Sequence, residues 1–355
     1  MGRGDTEEST HSTIKCVVWD LDGTLWDGTL AEGDDVSVRS EAVEAVIGLD
    51  RRGILQSIAS KNDPLTTVAR LEEVGLLEYF LYPQIGWSPK SRSVAKIAGL
   101  LDVSLDAVAF IDDQIVEREE VRFAHPEVML IDASRVVELL SMSRMRPRFV
   151  TEESRMRRTM YRTRIDRLEA EERFEGPQVE FLKTLGLELE IAEAGADDLL
   201  RAEELTVRTH QMNSTGVVYG LAELSGLIGG DSHRVLVARM RDRYGSYGTI
   251  GLAVLRCPGA IWTIDLLLVS CRVIFAGVGN IMLGHLRRLA FRERAQLFAT
   301  MRPTNRNRMM YATFKFAGFR EVSRTRDSVL LEARVDEVPP IPEYVKILVA
   351  QPPAP

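Results

Sequence analysis

Val17-Val18-Trp19-Asp20-Leu21-Asp22-Gly23-Thr24-Leu25 is an apolar run that ends in two aspartates spaced i, i+2 and a glycine. A buried parallel strand delivers its chemistry at its carboxyl end, and this spacing puts both carboxylates on one side of the departing chain. Asp20 is thereby a candidate nucleophile toward phosphorus, and Asp22 a candidate acid/base. Gly23 lets the backbone turn, and Thr24 offers a hydroxyl. Two aspartates alone equally mark a solvated strand end or a helix cap, so the reading depends on what lies downstream.

The other parts follow in order. A second apolar run, 53–60 (GILQSIAS), ends in Ser60, whose hydroxyl suits a phosphoryl oxygen. Lys90, in Trp87-Ser88-Pro89-Lys90, supplies a charge to neutralise a phosphoryl group. A third run, 107–111 (AVAFI), ends in Asp112-Asp113, with Glu117 close behind. Two such carboxylates beside Asp20 suit Mg²⁺, which prefers oxygen ligands. Taken singly, Ser60 and Lys90 read as surface residues; in this order the set resembles the haloacid dehalogenase (HAD) phosphatases. That resemblance implies an aspartyl-phosphate mechanism, with Asp20 as nucleophile, Asp22 as acid/base, and Ser60 and Lys90 as phosphate ligands. It also implies Mg²⁺ at Asp20, the Asp22 carbonyl and Asp112.

At 355 residues, 45% hydrophobic and 27% charged, the chain is long enough for two domains. It has no run near the roughly 20 apolar residues of a membrane span. Residues 1–13 are polar and read as a disordered tail without a signal-peptide core. Cys16, Cys257 and Cys271 are odd in number and lack metal-ligand spacing, which points to a reducing, cytoplasmic setting. The net charge of -7 argues against general nucleic-acid binding.

The organisation is expected to be α/β: a HAD-like doubly wound parallel sheet domain over 14–140, followed by an α+β GNAT-like acyltransferase domain over 179–335. Residues 141–178 form an arginine-rich helical connector, and 336–355 a C-terminal tail. The connector arginines Arg155, Arg157, Arg158, Arg162 and Arg164 read as a solvated face pairing i, i+4 with glutamates, or as a contact for an acidic partner.

In the second half, strands are expected at 187–191, 234–240, 248–255 and 260–269, with helices at 197–209, 280–292 and 306–316. The turn Val269-Ser270-Cys271-Arg272-Val273-Ile274-Phe275-Ala276-Gly277-Val278-Gly279-Asn280 resembles the loop with which GNAT acyltransferases present backbone N–H groups to the phosphates of a coenzyme A or pantetheine donor. Arg272 and Gly277 fit that pattern, whereas Phe275 stands at its first glycine. A strand cysteine is ordinarily an inert small hydrophobe. Cys271 lies at a strand end, beside Arg272 and before an expected helix start, a setting that favours a thiolate able to carry an acyl group as a thioester.

The combination resembles the FkbH-like family, HAD phosphatases fused to a GNAT-like module in polyketide assembly. Its marks are Asp20-Leu21-Asp22-Gly23-Thr24-Leu25-Trp26, Ser60-Lys61-Asn62-Asp63, Phe110-Ile111-Asp112-Asp113, Glu117-Arg118, Arg208-Thr209-His210-Gln211-Met212-Asn213, Tyr247-Gly248-Thr249-Ile250-Gly251, Ser270-Cys271-Arg272-Val273 and Pro303-Thr304-Asn305-Arg306-Asn307. The resemblance implies a bifunctional glyceryltransferase and phosphatase. Such an enzyme takes D-1,3-bisphosphoglycerate, removes phosphate, and loads the glyceryl unit through Cys271 onto the phosphopantetheine of an acyl carrier protein for antibiotic biosynthesis. Lys61, Asn62, His210 and Arg272 are then candidate substrate-binding residues beside Ser60 and Lys90, and Asp20, Asp22, Asp112 and Asp113 are the candidate Mg²⁺ site. His210 is equally read as a proton shuttle or a simple polar contact. The sequence departs from the family at Gly23, His210, Phe275-Ala276 and Gly279. Two other readings stand beside this one: a small-molecule phosphatase whose second half only binds substrate, and a carrier-docking module with a relict site.

Overall fold

The computed structural model describes residues 13–33, 35–334, 338 and 340–349. The expected tail at 1–13 falls outside these, apart from its last residue. The chain divides into two compact units, 1–162 and 163–355.

The first unit carries β1 (Cys16–Trp19), β2 (Trp26–Asp27), β3 (Ser37–Val38), β4 (Leu55–Ser60), β5 (Gln84–Ile85), β6 (Val108–Asp112) and β7 (Met129–Asp132). Between and after these strands lie α1 (Ser40–Arg51), α2 (Pro64–Glu73), α3 (Lys90–Leu101), α4 (Ile115–Ala124) and α5 (Glu152–Arg155). Five strands form one parallel sheet in the order β5-β4-β1-β6-β7. The chain winds outward from β1 in both directions, so the sheet is doubly wound, the class read from the sequence. The carboxyl end of β1 is the point where strand order reverses, and α/β sheets open a crevice there. Apolar runs without alternation form these strands because both faces are covered; β1, β4 and β6 are buried throughout. Trp19, Ile58 and Ile111 pack with Leu49 and Leu139 in the core. The apolar stretch at 80–82 is not a strand: Leu81 N donates to Gln56 O at 2.8 Å, and the edge strand forms at Gln84–Ile85 instead.

α6 (Arg157–Glu172) contains the boundary between the units. Its first arginines do not form the solvated face expected of them. Arg158 Nε pairs with Asp50 Oδ1 at 2.9 Å and its Nη1 with Glu78 Oε2 at 3.0 Å. Arg157 donates to Gly53 O at 2.7 Å, and Arg162 to Leu77 O at 3.1 Å. Guanidinium groups with several donors thus answer carbonyls and carboxylates of loops that no helix satisfies. Gly53 allows this close approach: its φ is +69°, and a Cβ there would overlap the Ser154 carbonyl oxygen. Gly53→Ala is expected to cost the first unit about 2–4 kcal/mol, since strain at positive φ and a backbone overlap add. Urea unfolding followed by circular dichroism measures it; a cost below about 0.5 kcal/mol would contradict that packing.

The second unit continues with α7 (Gln178–Thr184), β8 (Leu187–Glu193), α8 (Leu199–Arg208), α9 (Leu221–Leu227), β9 (His233–Asp242), β10 (Gly245–Arg256) and β11 (Ile261–Val269). After these come α10 (Val278–Arg292), β12 (Gln296–Met301), α11 (Arg308–Phe316), β13 (Phe319–Arg324), β14 (Val329–Ala333) and β15 (Val345–Val349). Its eight-stranded sheet has the order β13-β14-β12-β11-β10-β9-β8-β15. It is mainly antiparallel, with β11–β12 and β8–β15 parallel, so the unit is α+β as expected. β15 lies inside the segment read as a tail. Lone apolar positions such as Val345 and Ile347 give little signal in sequence, yet the edge of β8 supplies the ladder that orders them. The sheet buries both faces. Ile281, Met282 and Phe314 cover one with Val269 and Ala299, while Ala202, Leu205 and Leu224 cover the other with Leu252, Leu266 and Leu268. Among the described residues no helix is long and apolar enough to cross a membrane.

Candidate active site

Three strand ends of the first unit converge. Asp20 follows β1 directly, and its N–H donates to Ile111 O at 2.9 Å, which ties it to β6. Asp112 ends β6, and Lys90 opens α3. All three are buried. Lys90 Nζ donates to Asp20 Oδ1, to Ala59 O at 2.8 Å and to Asp112 Oδ2 at 3.1 Å. The lysine is thus fully engaged at the centre of the crevice.

Asp22 is oriented by three donors. Trp26 Nε1 and Leu30 N bond its Oδ1 at 2.7 and 3.2 Å, and Asn62 Nδ2 bonds its Oδ2 at 2.9 Å. Asn62 also reaches Ser60 Oγ at 3.2 Å, so Ser60, Asn62 and Asp22 form one hydrogen-bonded chain. Lys61 instead pairs with Glu117 at 2.6 Å on the half-exposed shoulder. Gly23, at φ +65°, makes the turn, and Thr24 Oγ1 accepts from Asp113 N at 3.1 Å. The positioning residues not foreseen in sequence are Trp26 and Arg118. Arg118 Nη1 donates to Asp112 O at 2.7 Å and pairs with Asp132 at 2.6 Å. The i, i+4 spacing of Asp22 and Trp26 was the one signal available for the first.

Burial pushes the Asp20 carboxyl up to about 7; Asp112 adds to that rise and Lys90 opposes it. Burial also raises Asp112, again against Lys90. Desolvation pulls Lys90 down, but the attraction of Asp20 and Asp112 outweighs it and leaves its pKa above the usual lysine value. Oxygens of Asp20, Asp112 and Asp113 lie within 4.8 Å of one another. Three carboxylates against one ammonium leave two negative charges, and an all-oxygen donor set of that charge fits Mg²⁺. Asp20, Asp112 and Asp113 are the side chains that would hold it.

This arrangement predicts a pH-dependent metal effect. Mg²⁺ at about 100 times its dissociation constant should add about 2.7 kcal/mol to the first unit. The gain should be larger at pH 8 than at pH 6, because Asp20 gives up its proton near 7. Thermal melts with Mg²⁺ and with chelator test this; equal shifts at both pH values would count against the carboxylate cluster.

In the second unit β11 ends at Val269, and Cys271 to Ala276 form a 3₁₀ helix. α10 begins only at Val278, so the helix start expected beside Cys271 lies several residues further on. Cys271 is exposed, whereas Cys16 is buried and Cys257 half-buried. Burial drives the Cys16 thiol far up and the Cys257 thiol to about 11, which leaves both inert. Arg272 donates to Ser270 Oγ at 3.2 Å and to Tyr247 O at 3.3 Å. Phe275 is half-buried, with the Arg167 guanidinium 3.6 Å from its ring centroid and Tyr247 at 6.2 Å. His210 is exposed in the loop after α8.

No protein-family model and no curated protein matches the chain. Solved structures similar to part of it include the N-terminal part of a Bacteroides fragilis protein, containing a phosphatase domain and complexed with Mg. That match has 25% identity and a TM-score of 0.33, and covers 36% of this chain and 39% of the other. A second is the ribosomal-protein-S18-alanine N-acetyltransferase of Escherichia coli, at 17% identity and TM-score 0.33, covering 41% of this chain and 92% of that one. A third is the PaiA N-acetyltransferase of Thermoplasma acidophilum in complex with coenzyme A, at 12% identity and TM-score 0.34, covering 41% and 98%. This chain is therefore similar to a phosphatase domain in one part and to N-acetyltransferases in another.

Proposed function

We propose that the chain is a bifunctional enzyme that dephosphorylates a phosphorylated three-carbon acid and transfers its acyl group through Cys271 to the phosphopantetheine thiol of an acyl carrier protein. The substrate of this reading is D-1,3-bisphosphoglycerate, and the product a glyceryl thioester for polyketide assembly in the cytoplasm. The observation that carries the phosphatase half is the convergence of Asp20, Asp22, Ser60, Lys90, Asp112 and Asp113 on one crevice. An exposed Cys271 just past the end of a central strand supports the acyl-transfer half.

The acyl step is balanced without a redox partner. Cys271 Sγ attacks the carbonyl carbon of the acyl phosphate, the C–O bond to phosphate breaks, and inorganic phosphate leaves; the thiol proton passes to solvent. In the first unit the Asp20 carboxylate attacks the phosphorus of the remaining ester. Asp22 gives its proton to the departing alkoxide, then takes one from the water that hydrolyses the aspartyl phosphate. Lys90 and Ser60 bind the phosphoryl oxygens. Bound Mg²⁺ would offset phosphoryl charge there. The carrier thiol finally attacks the Cys271 thioester, an exchange nearly neutral in energy.

Incubation with Mg²⁺, bisphosphoglycerate generated in situ and a holo carrier protein tests the whole scheme, with both proteins weighed intact. A glyceryl increment on Cys271 and on the carrier is the expected result. Steady phosphate release with neither adduct would favour the second reading, a phosphatase whose second unit only binds substrate. The packing of Phe275 under Arg167, where the family turn has a glycine, is the observation on that side.

A further inference from the structure

β11 and β12 pair in parallel only from Ile261–Gln296 to Ile264–Ala299. Past that point two parallel strands that separate expose the N–H and C=O groups of both edges. An extended arm with amides along it, such as that of a coenzyme A thioester, could complete those edges as an added strand does. In this chain its own backbone does so. Val269 N donates to Met212 O at 2.8 Å, and Ser214 N to Leu267 O at 2.9 Å. Leu267 N donates to Ser214 Oγ at 2.9 Å, and Asn213 bridges Leu268 in antiparallel sense. On the other side, Arg302 N donates to Ser214 O at 2.8 Å. Asn213 and Ser214 are fully buried.

The inserted segment is anchored from β12 and the loop after it. Asn307, 2% exposed, donates through Nδ2 to Asn213 O at 3.0 Å and to Arg302 O at 2.9 Å. Its Oδ1 accepts from Thr304 N at 2.8 Å. Asn213 Oδ1 accepts from Thr215 N and Gly216 N at 3.1 and 2.8 Å, so the loop closes on itself.

The first turn of α10 is filled as well. A Cβ on Gly279 would lie 2.9 Å from Thr313 Cγ2 and 3.4 Å from Met212 Cε, and one on Gly277 would lie 3.3 Å from the Tyr344 hydroxyl. Backbone N–H groups that would otherwise meet donor phosphates therefore sit under side chains of the same unit.

We infer that Met212-Asn213-Ser214 is a built-in strand that decides donor specificity: it takes the edge that the arm of a coenzyme A thioester would need and restricts Cys271 to small acyl phosphates. This rests on the proposed reading that Cys271 accepts an acyl group. A carrier arm then meets Cys271 from the exposed side, through its terminal atoms.

The test uses the full chain and acetyl-CoA as probe. Calorimetry at about 1 mM acetyl-CoA is expected to show no binding, and the exchange of the Leu267 and Val269 amides with deuterated water to stay unchanged. Binding tighter than about 100 µM, with altered exchange at those two amides, would overturn the inference. Asn307→Ala should speed Val269 exchange by at least about tenfold, as the segment loosens; unchanged exchange in a folded variant would remove Asn307 as the anchor and overturn the built-in strand. If that variant does not fold, the wild-type calorimetry still decides. If no donor acylates Cys271, the proposed function fails, whereas the binding result stands by itself.

Discussion

Asp20→Asn is expected to abolish phosphate release and yet to raise the melting temperature of the metal-free protein at pH 8. The loss of turnover follows from removing the nucleophile, at least about 10³-fold in kcat. The gain in stability follows from burial. The Asp20 carboxyl titrates near 3.8 in the unfolded chain and near 7 when folded, chiefly because it is desolvated. Between those values the folded protein holds a proton that the unfolded chain has released. Stability therefore falls as pH rises from about 4, and the full loss is reached above about 7. Asparagine carries no such penalty, and Lys90 keeps its bonds to Asp112 and Ala59. The expected gain at pH 8 is roughly 1–4 kcal/mol, and smaller at pH 5. Calorimetric melts at both values, with chelator present, measure it. Retained turnover, or a lower melting point at pH 8, would refute the assignment of Asp20.

Cys271→Ala separates the two halves of the proposed reaction. Carrier loading should drop below detection, a loss of at least about 10³-fold, because neither Cys16 nor Cys257 offers an accessible low-pKa thiol. Phosphate release from a simple phosphate ester should remain within about twofold, since the first unit has its own site. The substitution exposes no cavity, as Cys271 is already at the surface, so folding should be intact by circular dichroism. Loading that persists in the variant would transfer the acyl role to another group and remove the relay.

The first unit was legible because its signals are local. A strand buried on both faces reads as an unbroken apolar run, and its carboxyl end is marked by the first charged residue, as at Asp20 and Asp112. The order of those ends along the chain brought Ser60, Lys90 and Asp112 into one list before any geometry was seen. What sequence did not disclose depends on partners distant along the chain. Arg157 and Arg158 look like any solvated helix face until the carbonyl of Gly53 and the carboxylates of Asp50 and Glu78 are placed beside them. Residues 212–214 read as a polar loop because their strand pairing exists only where β11 has left β12. Residues 345–349 are ordered by an edge more than 150 positions earlier. Cys271 was found by type and neighbourhood, while the 3₁₀ helix that carries it was not, since one short helix has no periodicity to read.

The turn at Gly23 leaves one trace outside the molecule. A Cβ at this position would come 2.7 Å from Asp113 Oδ2, and the backbone there has a φ of +65°. An asparagine tolerates that dihedral angle, but its side chain and the present rotamer of Asp113 cannot share the space. In an alignment of natural homologues, columns 23 and 113 should therefore vary jointly, with the bulkier residue at one tied to a displaced or shortened acid at the other.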